Sequence, residues 1–310
     1  MREFAVFSAL ALAFGGCAAG DDNALSVAAP DNPDTDIFVA AVDFSTGAPS
    51  LAALRNATGR KGYDNQPSFL AGQAAFYYVA DGENGKTDIR LYDIARGASQ
   101  PVTATAQESE YSPKEAPMGG ISFIQENTAG DVTRVHRRAP GSEEGAAVVD
   151  FAPLGYYAWL ENGAALGVYY RSEPGSLYRV DVASGETALL HGNIGRTLQS
   201  NAKGGALWFS QSPDDEEGPS RIARYDAASG KLTPLSDLPA GATDFFVVLD
   251  GNGEAYGFLA GSGAEIFWRG ARDEDWTAIA DLGPKGAGAV SRIALSDDRK
   301  WIAAVAEIHN

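Results

Sequence analysis

Short runs of alternating or wholly apolar residues recur along the chain after about residue 34, and turns rich in Gly, Asp and Asn separate them. Two clear examples are FYYVAD, which begins at Phe76, and ALWFSQ, which begins at Ala206. Apolar positions in this region do not repeat with the 3.6-residue period of an amphipathic helix. Short runs of this kind, bounded by turn residues, are typical of β-strands. The pattern therefore predicts an all-β fold.

The predicted strands form a longer repeat. Within each unit a short strand, a turn, a strongly apolar strand and a third strand follow one another, and third strands such as DIRLYDIARG and SRIARYDAASG end in a D-x-x-x-G-like turn. A fourth strand follows, which favours four-stranded propeller blades over a sandwich. The spacing of the units, roughly 41–48 residues, lies in the range of propeller blades. The units open near Asn65, Glu110, Gly155, Arg196, Thr243 and Ser291.

The last of the six units ends at Asn310 after only two strands, whereas the segment from Thr35 to Ala57 has the form of a third and a fourth strand. Joining these two ends completes a sixth blade and removes the exposed sheet edges of an open array. The sequence thus predicts one domain over residues 35–310. We expect a single six-bladed β-propeller in which the N- and C-terminal strands close one blade.

The blade elements PSFLAGQAAFYYVAD and DIRLYDIARG resemble the repeat of TolB-like periplasmic propellers, in which the first turn typically reads S-P-D-G. The turn SDDRK, which begins at Ser296, is the most similar to that signature. Whole phrases, GYDNQPSF, ESEYSP, GYYAW and IGRTL, resemble a bacterial lipoprotein subgroup of this family. The resemblance implies a propeller of the cell envelope with a scaffold role near the outer membrane or peptidoglycan. It implies no particular activity.

The N-terminus reads as a targeting segment. The apolar run from Phe4 to Phe14 is too short to span a bilayer and is typical of a signal peptide. Small residues precede Cys17, which resembles the lipobox of bacterial lipoproteins, and in that family Ala18 favours sorting to the outer membrane. We predict a signal peptide over 1–16, a lipidated Cys17 and a flexible tether over 17–34, with the protein facing the periplasm. The alternative is a secreted protein cleaved near Ala19.

The charge balance excludes several partners. The chain has 24 Lys and Arg residues against 41 Asp and Glu residues, a net charge of −17, so it should repel nucleic acid and anionic lipid surfaces. Contact with a membrane is therefore expected only through the lipid anchor. Cys17 is the only cysteine, which excludes disulfides and cysteine-based metal sites within one chain.

Candidate binding residues lie where each inner strand begins. In a propeller these loops surround one opening of the central channel, so we expect their polar and aromatic side chains to converge there as a ligand-binding rim. Aromatic, acidic and arginine side chains suit a peptide or an oriented polar ligand, although such residues also serve as turn formers and as packing between blades. The predicted rim residues are Asp64, Asn65, Gln66, Glu108, Glu110, Tyr111, Tyr156, Tyr157, Arg196, Asp244 and Arg292.

Arginines in the predicted rim have two interpretations. Arg196 and Arg292 enter inner strands of an otherwise acidic chain. Each either pairs with a neighbouring acid such as Glu110 or presents its planar fork to a carboxylate ligand. Both interpretations are consistent with the sequence.

Catalytic and metal-binding patterns are weak. No nucleophile elbow surrounds Ser112, and the histidines at 136, 191 and 309 lie outside the rim phrases. We predict a non-catalytic protein without a cofactor whose rim binds an envelope protein or peptide. The alternatives are a metal-dependent enzyme of the lactonase-like or sugar-processing kind and a small-molecule sensor. A channel calcium ion held by Asp64, Glu110 and Asp244 is a further, less favoured hypothesis.

Overall fold

The computed structural model describes residues 32–82, 84–213 and 218–308. The predicted signal peptide, Cys17 and most of the predicted tether lie outside these residues. Within them the fold is all-β, with 24 strands in six four-stranded sheets and two short 3-10 turns at Glu161–Gly163 and Gly283–Lys285. No helix of the described ranges is long and apolar enough to cross a membrane.

The strands follow the predicted repeat. The first two are β1 (Thr35–Asp43) and β2 (Ser50–Asn56). Blade 1 contains β3 (Asp64–Phe69), β4 (Ala75–Asp81), β5 (Thr87–Asp93) and β6 (Ala98–Pro101). Blade 2 contains β7 (Ser109–Glu115), β8 (Ile121–Glu126), β9 (Thr133–Arg138) and β10 (Gly145–Ala147). Blade 3 contains β11 (Leu154–Leu160), β12 (Ala165–Tyr170), β13 (Ser176–Asp181) and β14 (Thr187–Gly192).

The remaining blades have the same order. Blade 4 contains β15 (Ile194–Ser200), β16 (Ala206–Gln211), β17 (Arg221–Asp226) and β18 (Leu232–Asp237). Blade 5 contains β19 (Phe245–Leu249), β20 (Ala255–Ser262), β21 (Glu265–Gly270) and β22 (Thr277–Asp281). Blade 6 combines β23 (Ala287–Leu295) and β24 (Trp301–Ile308) with β1 and β2.

Blade 6 closes the ring as predicted. Its strand order is β2-β1-β24-β23, and β1 pairs antiparallel with β24 from Thr35 opposite Glu307 to Ala41 opposite Trp301. The first six residues of β1 are all buried. A strand with both faces and both edges covered reads as a continuous apolar run, which explains the IFVAAV sequence of β1.

Burial is lowest at the outer edge of the blades. Every residue of the fourth strands β6 and β10 is exposed, whereas most residues of the second strands are buried. The apolar core is divided into six clusters, one between each pair of neighbouring blades. Because every blade packs on two others, no blade face is left open to solvent.

The seam between blades 1 and 2 differs from the other five. Its apolar cluster has only three buried members, Ile89, Ile121 and Phe123. Buried polar side chains occupy the remainder of this seam, with Thr103 and Glu110 among them. Hydrogen bonds therefore replace part of the apolar packing here, which makes the seam sensitive to the ionisation of Glu110.

Candidate functional site

A central cavity of about 1070 Å³ runs along the inner strands of all six blades, from near the starts of these strands to the turns that follow them. Each inner strand contributes one wall of it, so residues far apart in sequence face a shared space. Six of the eleven predicted rim residues line this cavity: Gln66, Tyr156, Tyr157, Arg196, Asp244 and Arg292.

The other five predicted residues are not among the residues that line the cavity. Asp64 and Glu110 have no exposed surface, and Asn65 is buried as well. Glu108 precedes β7 and is half-buried outside the cavity lining. Tyr111 packs with the apolar cluster between blades 2 and 3. The carboxylates of Asp64 and Glu110 accept hydrogen bonds at the interfaces between blades.

The physical reason is an irregularity near the start of the inner strands. The pairing of β7 with β8 shifts register between Tyr111 and Lys114, where Ser112 has a positive φ of 52°. In β3 the same shift surrounds Gln66, which has a φ of 56°. An extra residue at such a bulge reverses the alternation of side chains that follows it. Glu110 consequently points into a seam, while Lys114 lines the channel.

The two bulges also bind each other. The main-chain N–H and the hydroxyl of Ser112 both donate to the side-chain oxygen of Gln66, and the Gln66 amide donates to the Tyr63 hydroxyl at 3.2 Å. Burial raises the pKa of the Tyr63 hydroxyl to about 12. The Ser112 hydroxyl is thus engaged in a structural contact between blades 1 and 2.

Glu110 is held inside a shell of neutral donors. Its carboxylate accepts hydrogen bonds from Thr105 at 2.8 Å, Thr103 at 3.1 Å and Gln125 at 3.4 Å. Burial raises the pKa of Glu110 to about 7, although these hydrogen bonds oppose the shift and Asp88 adds to it. No cation stands opposite Glu110 among the described residues, so the charged form is stabilised by hydrogen bonds alone.

Asp64 has a different environment, because Arg60 holds it. The Arg60 guanidinium lies 2.6 Å from the Asp64 carboxylate and also donates to the Tyr63 carbonyl. Burial raises the pKa of Asp64 to about 6, and Arg60 opposes the shift. The hypothesis of a channel calcium ion required Asp64, Glu110 and Asp244 to meet. Each instead has its own partners, and the described residues contain no group of three or more His, Cys, Asp or Glu side chains that could hold a metal ion.

Asp244 and Arg292 form the charged pair of the cavity. The Nε atom of Arg292 lies 3.7 Å from Asp244 Oδ2, while Thr197 Oγ1 donates to Asp244 Oδ1 at 2.5 Å. The guanidinium of Arg292 stands 5.1 Å from the ring centroid of Tyr156 and donates to its hydroxyl at 3.4 Å. Burial opposes the charge of Arg292, but Tyr156 and Asp244 raise its pKa above the usual value.

Lys114 is a cavity residue that the sequence interpretation missed. Its Nζ atom lies 5.8 Å from the ring centroid of Tyr157, and it forms no ion pair with any described residue. Burial lowers the pKa of Lys114 to about 8, the like charge of Arg292 lowers it further, and Asp244 opposes both. Thr197 and Phe246 were also missed. A lone lysine inside the phrase ESEYSPKE was the available signal for Lys114.

Comparison with known proteins identifies the fold. No protein-family model and no functionally curated protein matches the sequence. Among solved structures, a TolB protein from Agrobacterium tumefaciens matches with a TM-score of 0.64 and 14% identity, over 90% of this chain and 100% of that one. The TolB structure from Acinetobacter baumannii matches with a TM-score of 0.55 and 12% identity, over 88% of this chain.

The chain spans 64% of the length of the Acinetobacter protein, so it corresponds to part of that molecule. An oligogalacturonate lyase in complex with manganese matches with a TM-score of 0.47 and 11% identity, over 90% of this chain and 99% of that one. This similarity is too distant to support a functional argument. The two TolB similarities confirm, at the level of fold, the resemblance that the repeats indicated. This protein has the fold of the TolB-like six-bladed β-propellers.

Proposed function

We propose that the protein is an envelope lipoprotein whose propeller is a non-catalytic binding module for a protein or peptide partner. The observation that carries this proposal is the central cavity of about 1070 Å³, which lies at the upper end of the roughly 300–1,000 Å³ of typical small-molecule sites and is lined by all six blades. Aromatic side chains such as Tyr156, Trp159 and Phe246 line it beside charged groups. Aromatic and arginine side chains are the residues that most often dominate protein binding.

Two further features support a binding role. The Ser112 hydroxyl donates to the Gln66 side chain, and neither histidine nor cysteine belongs to the described lining of the cavity. The TolB-like fold, which resembles envelope scaffold propellers, is compatible with a protein partner. The leader and Cys17 support attachment through lipid to the outer membrane, with the propeller on the periplasmic side.

Site-specific photo-crosslinking tests the binding role. A photoreactive phenylalanine analogue replaces Phe246, which lines the cavity, or Leu189, an exposed apolar residue of the outermost strand β14. After irradiation of intact cells, we expect position 246 to capture one discrete envelope protein or peptide, identified by mass spectrometry. Position 189 should not capture it. Equal capture from both positions, or none from 246, would exclude the cavity as the binding surface.

Lipid attachment is tested separately. Cells fed an alkyne-labelled fatty acid should label the native protein and retain it in the outer-membrane fraction. The Cys17→Ser variant should remain unlabelled. Label that persists in the variant, or a native protein that is soluble in the periplasm, would contradict the anchoring proposal and leave the binding test unaffected.

A further inference from the structure

The cavity has a charge balance unlike that of the rest of the molecule. The whole chain carries 24 Lys and Arg residues against 41 Asp and Glu residues, yet five cations and four acids line the cavity. All four of those acids accept main-chain N–H groups: Glu115 from Ala71, Asp297 from Gly72, Asp250 from its own turn, and Asp244 from Phe245. The carboxylates of the cavity therefore already have hydrogen-bond partners, whereas most of its cations form no ion pair with a described residue.

Three of the cations lie on inner strands, and are called here the cation cluster: Lys114 in β7, Arg196 in β15 and Arg292 in β23. Asp244 is the acid at the same level of the cavity, and it already accepts hydrogen bonds from the Thr197 hydroxyl and from the main-chain N–H of Phe245. Asp244 pairs with Arg292 at 3.7 Å, and its charge also acts on Lys114, while the exposed Arg196 precedes Thr197, which donates to Asp244. Two cations beside one carboxylate give this part of the cavity a local excess of positive charge in an otherwise acidic protein.

Each member of the cluster has unused donor capacity. Lys114 and Arg196 form no ion pair with any described residue. Arg292 is separated from Asp244 by 3.7 Å, and its buried Nε atom has no hydrogen-bond partner within the described structure. A partly buried cation without an ion pair, as at Lys114, reduces stability, and an incoming anion would remove that cost.

We propose that the cation cluster is an anion-binding site and that its ligand is a carboxylate on an acidic segment of the bound peptide or protein. This inference rests on the proposed binding function. Arginine forks pair with planar carboxylates through two parallel hydrogen bonds, and Lys114 adds a third, rotatable donor. A doubly charged phosphate would meet stronger repulsion from Asp244, so the retained acid favours singly charged groups. The walls formed by Tyr156 and Phe246 contact the apolar parts of the same segment.

Titration of the full chain, purified in a non-ionic detergent, tests the assignment. The probes are hexa-glutamate with blocked termini, hexa-glutamine as the neutral analogue, and inorganic phosphate as a competitor. We expect saturable binding of hexa-glutamate, at least tenfold weaker binding of hexa-glutamine, and no displacement by phosphate at equal concentration. No saturable binding of hexa-glutamate, equal binding of the two peptides, or ready displacement by phosphate would overturn the carboxylate assignment.

Charge-matched variants locate the site. We expect Lys114→Met and Arg196→Gln each to weaken hexa-glutamate binding about tenfold. The controls Lys61→Met and Arg96→Gln remove equal charge from exposed positions outside the cavity and should change binding less than twofold. Equal effects of cavity variants and controls would show non-specific attraction and refute the site. Affinity should also fall between pH 7 and pH 9 in the native chain and fall less in Lys114→Met, because the Lys114 pKa is about 8.

The crosslinking experiment separates this inference from the proposed function. If position 246 captures the same partner with equal yield in the native chain and in Lys114→Met, the binding function is supported and the charge assignment is refuted. If hexa-glutamate binds through the cluster while position 246 captures no partner in cells, the anion site is supported and the cellular binding role is refuted.

Discussion

Glu110 provides the sharpest test of the energetics of the ring. It is completely buried in the seam between blades 1 and 2, where the apolar cluster is smallest, and neutral donors surround its carboxylate. The substitution Glu110→Gln preserves the shape of the side chain and removes the ionisation. The glutamine oxygen can accept from Thr105 and Gln125, and its amide can donate to the Thr103 hydroxyl, as a protonated glutamate would.

The magnitude follows from the pKa. Burial raises the pKa of Glu110 from 4.5 to about 7, which corresponds to at most about 3 kcal/mol of unfolding free energy. Between these values the folded state binds more protons than the unfolded state, so stability falls as pH rises from 4.5 to 7 and is level above that range. Asp64, with a pKa of about 6, acts with the same sign from pH 3.8 upward. The difference in unfolding free energy between the native protein and Glu110→Gln, taken at each pH, cancels the contribution of Asp64 and leaves that of Glu110.

Calorimetric melting at pH 4.5 and pH 8 measures the effect. We expect Glu110→Gln to melt close to the native protein at pH 4.5 and roughly 5 °C higher at pH 8, since about 3 kcal/mol shifts the Tm of a domain of this size by several degrees. Thr105→Val, which removes a donor to the carboxylate, should change the Tm in the opposite direction and mainly at pH 8. A difference between native and Glu110→Gln that is the same at both pH values would refute the reasoning.

Three other predictions concern packing and charge. Gly204 has a φ of +63°, and a Cβ there would meet main-chain atoms of the neighbouring blade at 2.5 Å. Gly185 has a similar φ of +73°, but the space around it is open. Gly204→Ala should therefore lower the unfolding free energy by at least about 2 kcal/mol more than Gly185→Ala. Chemical denaturation of both variants tests this. Trp208 is fully buried, and Trp208→Ala should cost about 3–5 kcal/mol by the same assay; a loss below about 1 kcal/mol would contradict its core position. Arg292→Gln and Asp244→Asn should each destabilise the protein, and the double variant should lose about 1 kcal/mol less than the sum, whereas strict additivity would show that the 3.7 Å pair is not coupled.

The sequence predicts the propeller well because every blade repeats the same order of strands and turns. Each third strand must end in a tight turn, and the repeated D-x-x-x-G pattern in ARYDAASG and LYDIARG makes that turn visible. The closing pair of β1 and β24 is equally visible, since an incomplete unit at one end and an excess of strands at the other can only be reconciled by joining them.

Side-chain direction was harder to predict. Glu110 and Lys114 are four residues apart, so strict alternation would place them on one face of β7. The bulge at Ser112 places them on different faces. Nothing in the dipeptide Ser112-Pro113 predicts the positive φ of Ser112, so the bulge was not visible in the sequence. For the same reason the identity of the acid beside Arg292 was not predictable. Glu110 was one expected neighbour of the rim arginines, but Arg292 lies beside Asp244, on a different blade.

The pairing of β1 with β24 also determines the order in which this protein is able to fold. Blades 1 to 5 are built from hairpins between consecutive strands, which form after short loop closures. The partner of β1 is the last strand of the described chain, so Ile37, Phe38 and Val39 remain without their final neighbours until β24 is available. Ring closure is therefore the slow, non-local step of folding. Until it occurs, the edge of β1 that pairs with β24 is exposed. During synthesis, that edge of the described propeller is therefore a site where a chaperone would protect the chain.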